Sequence, residues 1–147
     1  MLNEIYKAIK SHLNEQDTTG KIKGIEWYNV QYESTIACTP RIFVEFPEAL
    51  VIDPISKDTK RTPVKIRLHV VTQALTDTDG TIPDSIVDNH EEIATWVKDT
   101  IDHFTPPPST GSGIVPCKHM NLSGWQHWHK YKGWMVTFVE FEAKKML

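Results

Sequence analysis

The chain is poor in the residues that small secreted proteins and redox enzymes depend on. It has 2 cysteines, Cys38 and Cys117, far apart in sequence and in no C-x-x-C pair. At most one disulfide is possible, which excludes a disulfide-stapled framework. Basic charge is not in excess either: Lys and Arg number 16 against 19 Asp and Glu, a formal net charge of −3 with histidines neutral. A general nucleic-acid binder draws much of its affinity from phosphate neutralisation and carries a clear basic surplus, so only a local basic patch is left to consider. No apolar run approaches the ~20 residues of a membrane span. The opening Met1-Leu2-Asn3-Glu4-Ile5-Tyr6-Lys7 has no basic stretch leading into an apolar one, so no signal peptide is expected. Synthesis and folding in a reducing cytoplasm are the expectation.

Catalytic motifs are also missing. There is no G-x-S-x-G elbow, Walker loop, H-E-x-x-H or G-x-G-x-x-G. Gly111-Ser112-Gly113 is glycine-rich, but it follows a helical pattern instead of a strand and so makes a poor phosphate cradle. No catalytic residue, cofactor site or metal site is therefore assigned.

What is present describes a folded domain. Hydrophobic content of 39% with 24% charged residues excludes a disordered chain. A chain of this length buries roughly 70% of its unfolded surface, enough to stand without a disulfide or metal. A single α+β domain over residues 1–147 is expected, with one flexible internal loop at 105–116.

Hydrophobic periodicity gives the elements. Leu2, Ile5, Tyr6, Ile9 and Leu13 recur at three- and four-residue spacing and predict a helix that Asp17-Thr18-Thr19-Gly20 ends. Residues 25–32 (IEWYNVQY) have strand propensity with mixed faces. Residues 41–46 (RIFVEF) form a strand bracketed by Pro40 and Pro47. Residues 64–72 (VKIRLHVVT) alternate cleanly, Val64, Ile66, Leu68 and Val70 inward, Lys65, Arg67 and His69 outward. These two strands are expected to pair antiparallel across a long connection, residues 48–63. Its apolar run Ala49-Leu50-Val51-Ile52 and polar tip Lys57-Asp58-Thr59-Lys60-Arg61 suit an arm that reaches a neighbouring subunit.

A second helix is expected over residues 85–104, capped by Ser85 with Asp88 three residues on. Ile86, His90, Ile93, Ala94, Val97, Ile101 and Phe104 form its apolar stripe. Residues 105–116 (TPPPSTGSGIVP) break it. Two closing strands follow, over 124–132 and 134–142. In the last, Trp134, Val136 and Phe138 take one face and Met135, Val139 and Phe141 the other, which marks a strand covered on both sides. About four to five strands in a mostly antiparallel sheet, with two helices packed on it, is the α+β fold this order implies.

Three clusters invite chemistry. Cys117, His119, His127 and His129 are zinc-ligand types, but their spacing fits no standard finger or ribbon. His90 on an apolar stripe reads as a hydrogen-bonded core histidine, and Asp99, Asp102 and His103 turn to a solvated helix face. Lys65, Arg67 and His69, with Lys60 and Arg61 near, either meet phosphate, pair with a neighbour's acids, or stand in water. Tryptophan is enriched at protein–protein interfaces, and three of the 5 tryptophans fall at Trp125, Trp128 and Trp134.

In pattern and order the chain resembles the tail-terminator and tail-completion proteins of tailed bacteriophages. The resemblance rests on the N-terminal helix, the strand Pro40-Arg41-Ile42-Phe43-Val44-Glu45-Phe46, the strand over 64–72, the helix over 85–104 and the aromatic strand over 134–142. It implies a virion protein, assembled in the host cytoplasm, that forms a homo-oligomeric ring, commonly a hexamer. Such a ring joins tail tube protein to head-completion, connector or portal-associated proteins, with DNA passing through its channel and no membrane involved. The proline/glycine loop and the His/Trp-rich segment depart from the pattern, and leave another connector ring of the same neck as an alternative. A small zinc-dependent enzyme using the Cys/His segment and a nucleic-acid-binding module using Lys65 and Arg67 are the alternatives from other classes.

Overall fold

A computed structural model describes residues 2–31, 38–55, 60–109, 111, 113–130 and 133–146. Its elements in chain order are α1 (Leu2–Gln16), β1 (Gly24–Trp27), β2 (Arg41–Glu45), β3 (Asp53–Pro54), β4 (Lys60–Gln73), α2 (Asp84–Ile101), β5 (Asn121–Trp128) and β6 (Trp134–Met146). The strands form one sheet ordered β1-β2-β4-β6-β5, with the two-residue β3 beside β4. Every pairing is antiparallel except β1 with β2. This is the α+β arrangement expected, with β3 as an added short strand.

Both helices cover one face. Period-two alternation brings Ile42 and Val44 of β2, Val64, Ile66, Leu68 and Val70 of β4, and Val139 and Phe141 of β6 to that face. Ile5, Ile9 and Leu13 of α1 and Ile93, Ala94, Val97 and Ile101 of α2 close over them, and all are buried. Burying a side chain of this size contributes roughly 1.5–3 kcal/mol, so the layer supplies most of the driving force. His12 ties the helices together: its ring stacks on Phe104 at 4.0 Å and its Nε2–H donates to the Thr100 carbonyl at 3.1 Å. Among the described residues no helix is long and apolar enough to cross a membrane.

Several boundaries differ from the sequence expectation. The strand expected over 25–32 stops at Trp27, although Tyr28 N–H still donates to Val44 O at 2.9 Å; Tyr32 is outside the described residues. β4 starts at Lys60, upstream of Pro63. Pro63 is tolerated because β4 there has β6 on one side (Pro63 opposite Lys144), while on the other side β3 reaches only Lys60 and Arg61 and the pairing with β2 starts only at Arg67. Ser85 does not cap α2. Pro83 occupies the N-cap position with no side-chain cap bond, and its carbonyl accepts from Ile86 N–H at 3.0 Å. The helix also ends at Ile101 instead of Phe104. His103 adopts a positive φ of 66°, and its N–H donates to Met120 O at 2.6 Å while Met120 N–H returns to Phe104 O at 2.9 Å. Those backbone bonds to the approach of β5 divert the chain from the helix.

The connection at 48–63 is partly structured. Asp53 and Pro54 pair with Arg61 and Lys60, while Lys57, Asp58 and Thr59 of the expected polar tip are outside the described residues. β5 spans Asn121–Trp128, earlier than the expected 124–132, with a bulge between Leu122 and Gly124. A Cβ at Gly124 would sit 3.3 Å from the Glu140 side chain, which explains glycine at the bulge. The loop at 105–116 has anchored ends: Pro106 and Pro116 are buried, and Lys145 Nζ donates to Pro116 O at 2.7 Å.

Candidate assembly surface

The helix-free face of the sheet carries the charged and aromatic side chains. Across β2, β4 and β6 runs a row of Glu45, Arg67 and Glu140, with Arg67 3.3 Å from Glu45 and 3.5 Å from Glu140. Lys65 meets Glu142 at 3.3 Å. The basic stripe is therefore neutralised by carboxylates of its own chain, which the alternation of Glu140 and Glu142 along β6 could have signalled.

His69 is not outward in water, as the alternation alone suggests, but only 2% exposed. It stacks on Tyr28 at 4.1 Å and tilts against Phe138 at 4.5 Å. Burial lowers its pKa to about 4, against the upward pull of Glu45, whose carboxylate lies 2.7 Å from Nε2. The ring is thus neutral at ordinary pH and its Nε2–H donates. Around it Phe43, Val71, Val136 and Phe138 form a second buried cluster flanked by Tyr28, Trp128 and Trp134. Arg67 lies over the Phe138 ring at 4.7 Å, so cation–π attraction joins the polar row to this cluster.

On the helix side, His90 is the hydrogen-bonded core histidine its position implies. It bridges Thr72 Oγ1 at 2.6 Å and Thr137 Oγ1 at 2.8 Å, one ring nitrogen donating and the other accepting. Burial, and secondarily the charge of His127, lowers its pKa to about 4. Both hydroxyls face other protein groups instead of a cleft, so the trio is structural. Asp102 and His103 are likewise used by the fold, Asp102 Oδ1 accepting from Leu122 N–H at 3.0 Å.

The Cys/His set is dispersed. Cys117 is a buried free thiol whose pKa burial pushes up to about 11; Cys38 is free and exposed. His119 is exposed near His103 at 6.3 Å, whereas His127 faces His129 at 6.1 Å. Among the described residues no group of three or more His, Cys, Asp or Glu is placed to hold a metal.

Exposed apolar groups occur in loops and on α2, and several lie at the margins of the sheet. Trp125 on β5 is 41% exposed, and Val51 and Ile52 ahead of β3 are 70% and 50% exposed. Trp27 on β1 is also exposed, packed edge-on to Tyr6 at 5.5 Å. Sequence reading reached the strand that carries Trp125 and Trp128 and the apolar run 49–52 but missed that both lie at sheet margins, because strand order is not written in periodicity.

These features define a single-sheet α+β protein. No protein-family model matches the chain, and no curated protein matches it. Among solved structures it is similar to a chain of one described as "Virion of native gene transfer agent (GTA) particle". The TM-score is 0.67, over 97% of this chain and 94% of that one, at 11% identity. At that identity the likeness is one of fold.

Proposed function

We propose that this chain is a structural subunit of a phage-like particle, localised to the virion, working by assembly instead of catalysis. The observation that carries the reading is the near end-to-end match in fold to a chain of a gene transfer agent virion. It agrees with the resemblance in pattern to tail-terminator proteins, which no feature of that particle's description specifies. The finer reading is a homo-oligomeric ring, commonly a hexamer in such proteins, between tail tube protein and head-completion, connector or portal-associated proteins, with DNA crossing its channel. The local chemistry supports assembly over the alternatives. Lys65 and Arg67 are engaged by Glu142, Glu45 and Glu140, which weakens a phosphate-binding role.

The test is genetic and compositional. Purified particles should contain this chain in a small fixed copy number by quantitative mass spectrometry. Particles lacking its gene should show tails of uncontrolled length or unjoined heads and tails. Complete, infectious or transducing particles without the chain would contradict the reading.

A further inference from the structure

We propose that copies of this chain join head to tail, the exposed segment 51–55 of one copy lying along the open edge of β5 in the next. The inference rests on the self-assembly reading above and names the contact that would carry it. Among the described residues β5 is bonded to β6 alone. Its start is already covered: Asp102 takes the Leu122 N–H, and His103 and Phe104 pair with Met120. The open edge therefore runs over residues 123–128. Edge strands are ordinarily protected from pairing by lysine, proline or other charges, yet 123–128 (SGWQHW) has no proline, lysine, arginine, aspartate or glutamate.

The matching element is held out from the same fold. Leu50 packs on the main core, and Asp53 and Pro54 are bonded to Arg61 and Lys60, with Asp53 in an ion pair to Arg61 at 3.1 Å. Between these anchors Val51 and Ile52 stand exposed, and Ile55 beyond them is 53% exposed. An extended apolar segment fixed at its base loses little further entropy on adding to a sheet edge. Charge agrees in sign. Residues 48–55 contain Glu48 and Asp53 and no base, whereas 117–130 contain Lys118, His119, His127, His129 and Lys130 and no acid.

Topology decides the symmetry. β3 flanks β4 on the side away from β6, and β5 lies beyond β6. Three strand spacings, roughly 14 Å, thus separate the segment from its own copy's β5 edge, with two strands between. The occupant is accordingly a second copy. Two different surfaces on opposite sides of the sheet make a heterologous contact, which propagates to a ring or filament and does not close at a dimer.

Two half-disabled variants test this. Val51→Asp/Ile52→Asp spoils the segment; Trp125→Glu/His127→Glu places acid on the edge against Glu48 and Asp53. At concentrations where the wild type assembles, each variant alone should be monomeric by native mass spectrometry. An equimolar mixture should give a heterodimer and nothing larger, since one intact segment and one intact edge remain. Variants that assemble like the wild type, or whose mixture stays monomeric, overturn the contact while self-assembly stands. A wild type monomeric at all concentrations overturns the contact, and one that also stays monomeric with tail tube and neck proteins contradicts the assembly reading as well. Should a variant not melt cooperatively, hydrogen exchange on the wild type decides: amides of 123–128 gain protection as concentration rises, and no gain overturns the proposal.

Discussion

His69 Nε2 lies 2.7 Å from Glu45 Oε1 across the β2–β4 pair, and Arg67 Nη1 reaches the same oxygen at 3.3 Å. One carboxylate thus holds a neutral imidazole and a guanidinium together on the helix-free face. Glu45 is what opposes the effect of burial on His69. Glu45→Gln should therefore lower the His69 pKa below its present value of about 4, read by NMR titration of the ring. A stability loss of about 1–2 kcal/mol should accompany it, as a hydrogen bond to a charged group is removed at a partly exposed site. An unchanged or raised pKa would contradict the assignment.

His69 and His90 together set an acid limit. Both have folded pKa values of about 4 against an ordinary 6.5. Above pH 6.5 neither group favours either state. As pH falls from 6.5 toward 4 the unfolded chain takes up two protons that the folded chain does not, so unfolding free energy falls, and the loss is complete below about 4. Each histidine contributes on the order of 3 kcal/mol to that loss. Urea unfolding between pH 7 and 4 should show the decline, and a flat profile would refute the burial of both rings.

Replacing His90 by leucine should remove about half of that pH dependence. It should also cost about 2–4 kcal/mol at neutral pH, because Thr72 and Thr137 lose their common partner in a buried site. Chemical denaturation at two pH values separates the two effects. Loss of stability without a change in slope would place the titration elsewhere.

The thiols should behave differently. Cys38 is exposed, whereas Cys117 is buried with its pKa near 11, and the thiolate is the reactive form. A thiol reagent should modify one cysteine quickly in the native protein and the second only in denaturant. Zinc should leave the melting temperature unchanged, and a stabilising stoichiometric zinc ion would restore Cys117, His119, His127 and His129 as a site.

Within the connection after β2, Leu50 and its neighbours should separate core from surface. Leu50 is half-buried on the core, while Val51 and Ile52 are exposed. Leu50→Ala should cost about 1–2 kcal/mol of stability; Val51→Asp should cost under about 0.5 kcal/mol. Thermal unfolding of the two variants measures this, and a large loss from Val51→Asp would place that residue in the core.

Much of the fold could be read from periodicity. The alternation of Val64, Ile66, Leu68 and Val70 gave the central strand, and the doubly apolar strand at 134–142 did turn out to lie between two others. Boundaries were misread where tertiary bonds overrode local signals. Ser85 has capping chemistry, but Pro83 with its fixed φ starts the helix one residue earlier. His69 alternates with the outward residues, yet Tyr28 and Phe138 cover it. The second apolar layer could not be foreseen from β4 alone, since Phe43, Val71, Val136 and Phe138 come from three strands whose neighbours only the topology fixes. The same holds for the two sheet margins. The apolar character of Trp125 and Val51 is legible in the sequence, and their placement toward opposite edges of the sheet is a property of strand order.

The central claim is that this chain acts by assembling. The most direct measurement is the native mass of the wild-type protein over a concentration series, alone and with the products of its neighbouring genes. The account predicts a closed oligomer that holds an integer number of copies of this chain, formed alone or on adding a partner. A strict monomer at every concentration and with every such partner would contradict it.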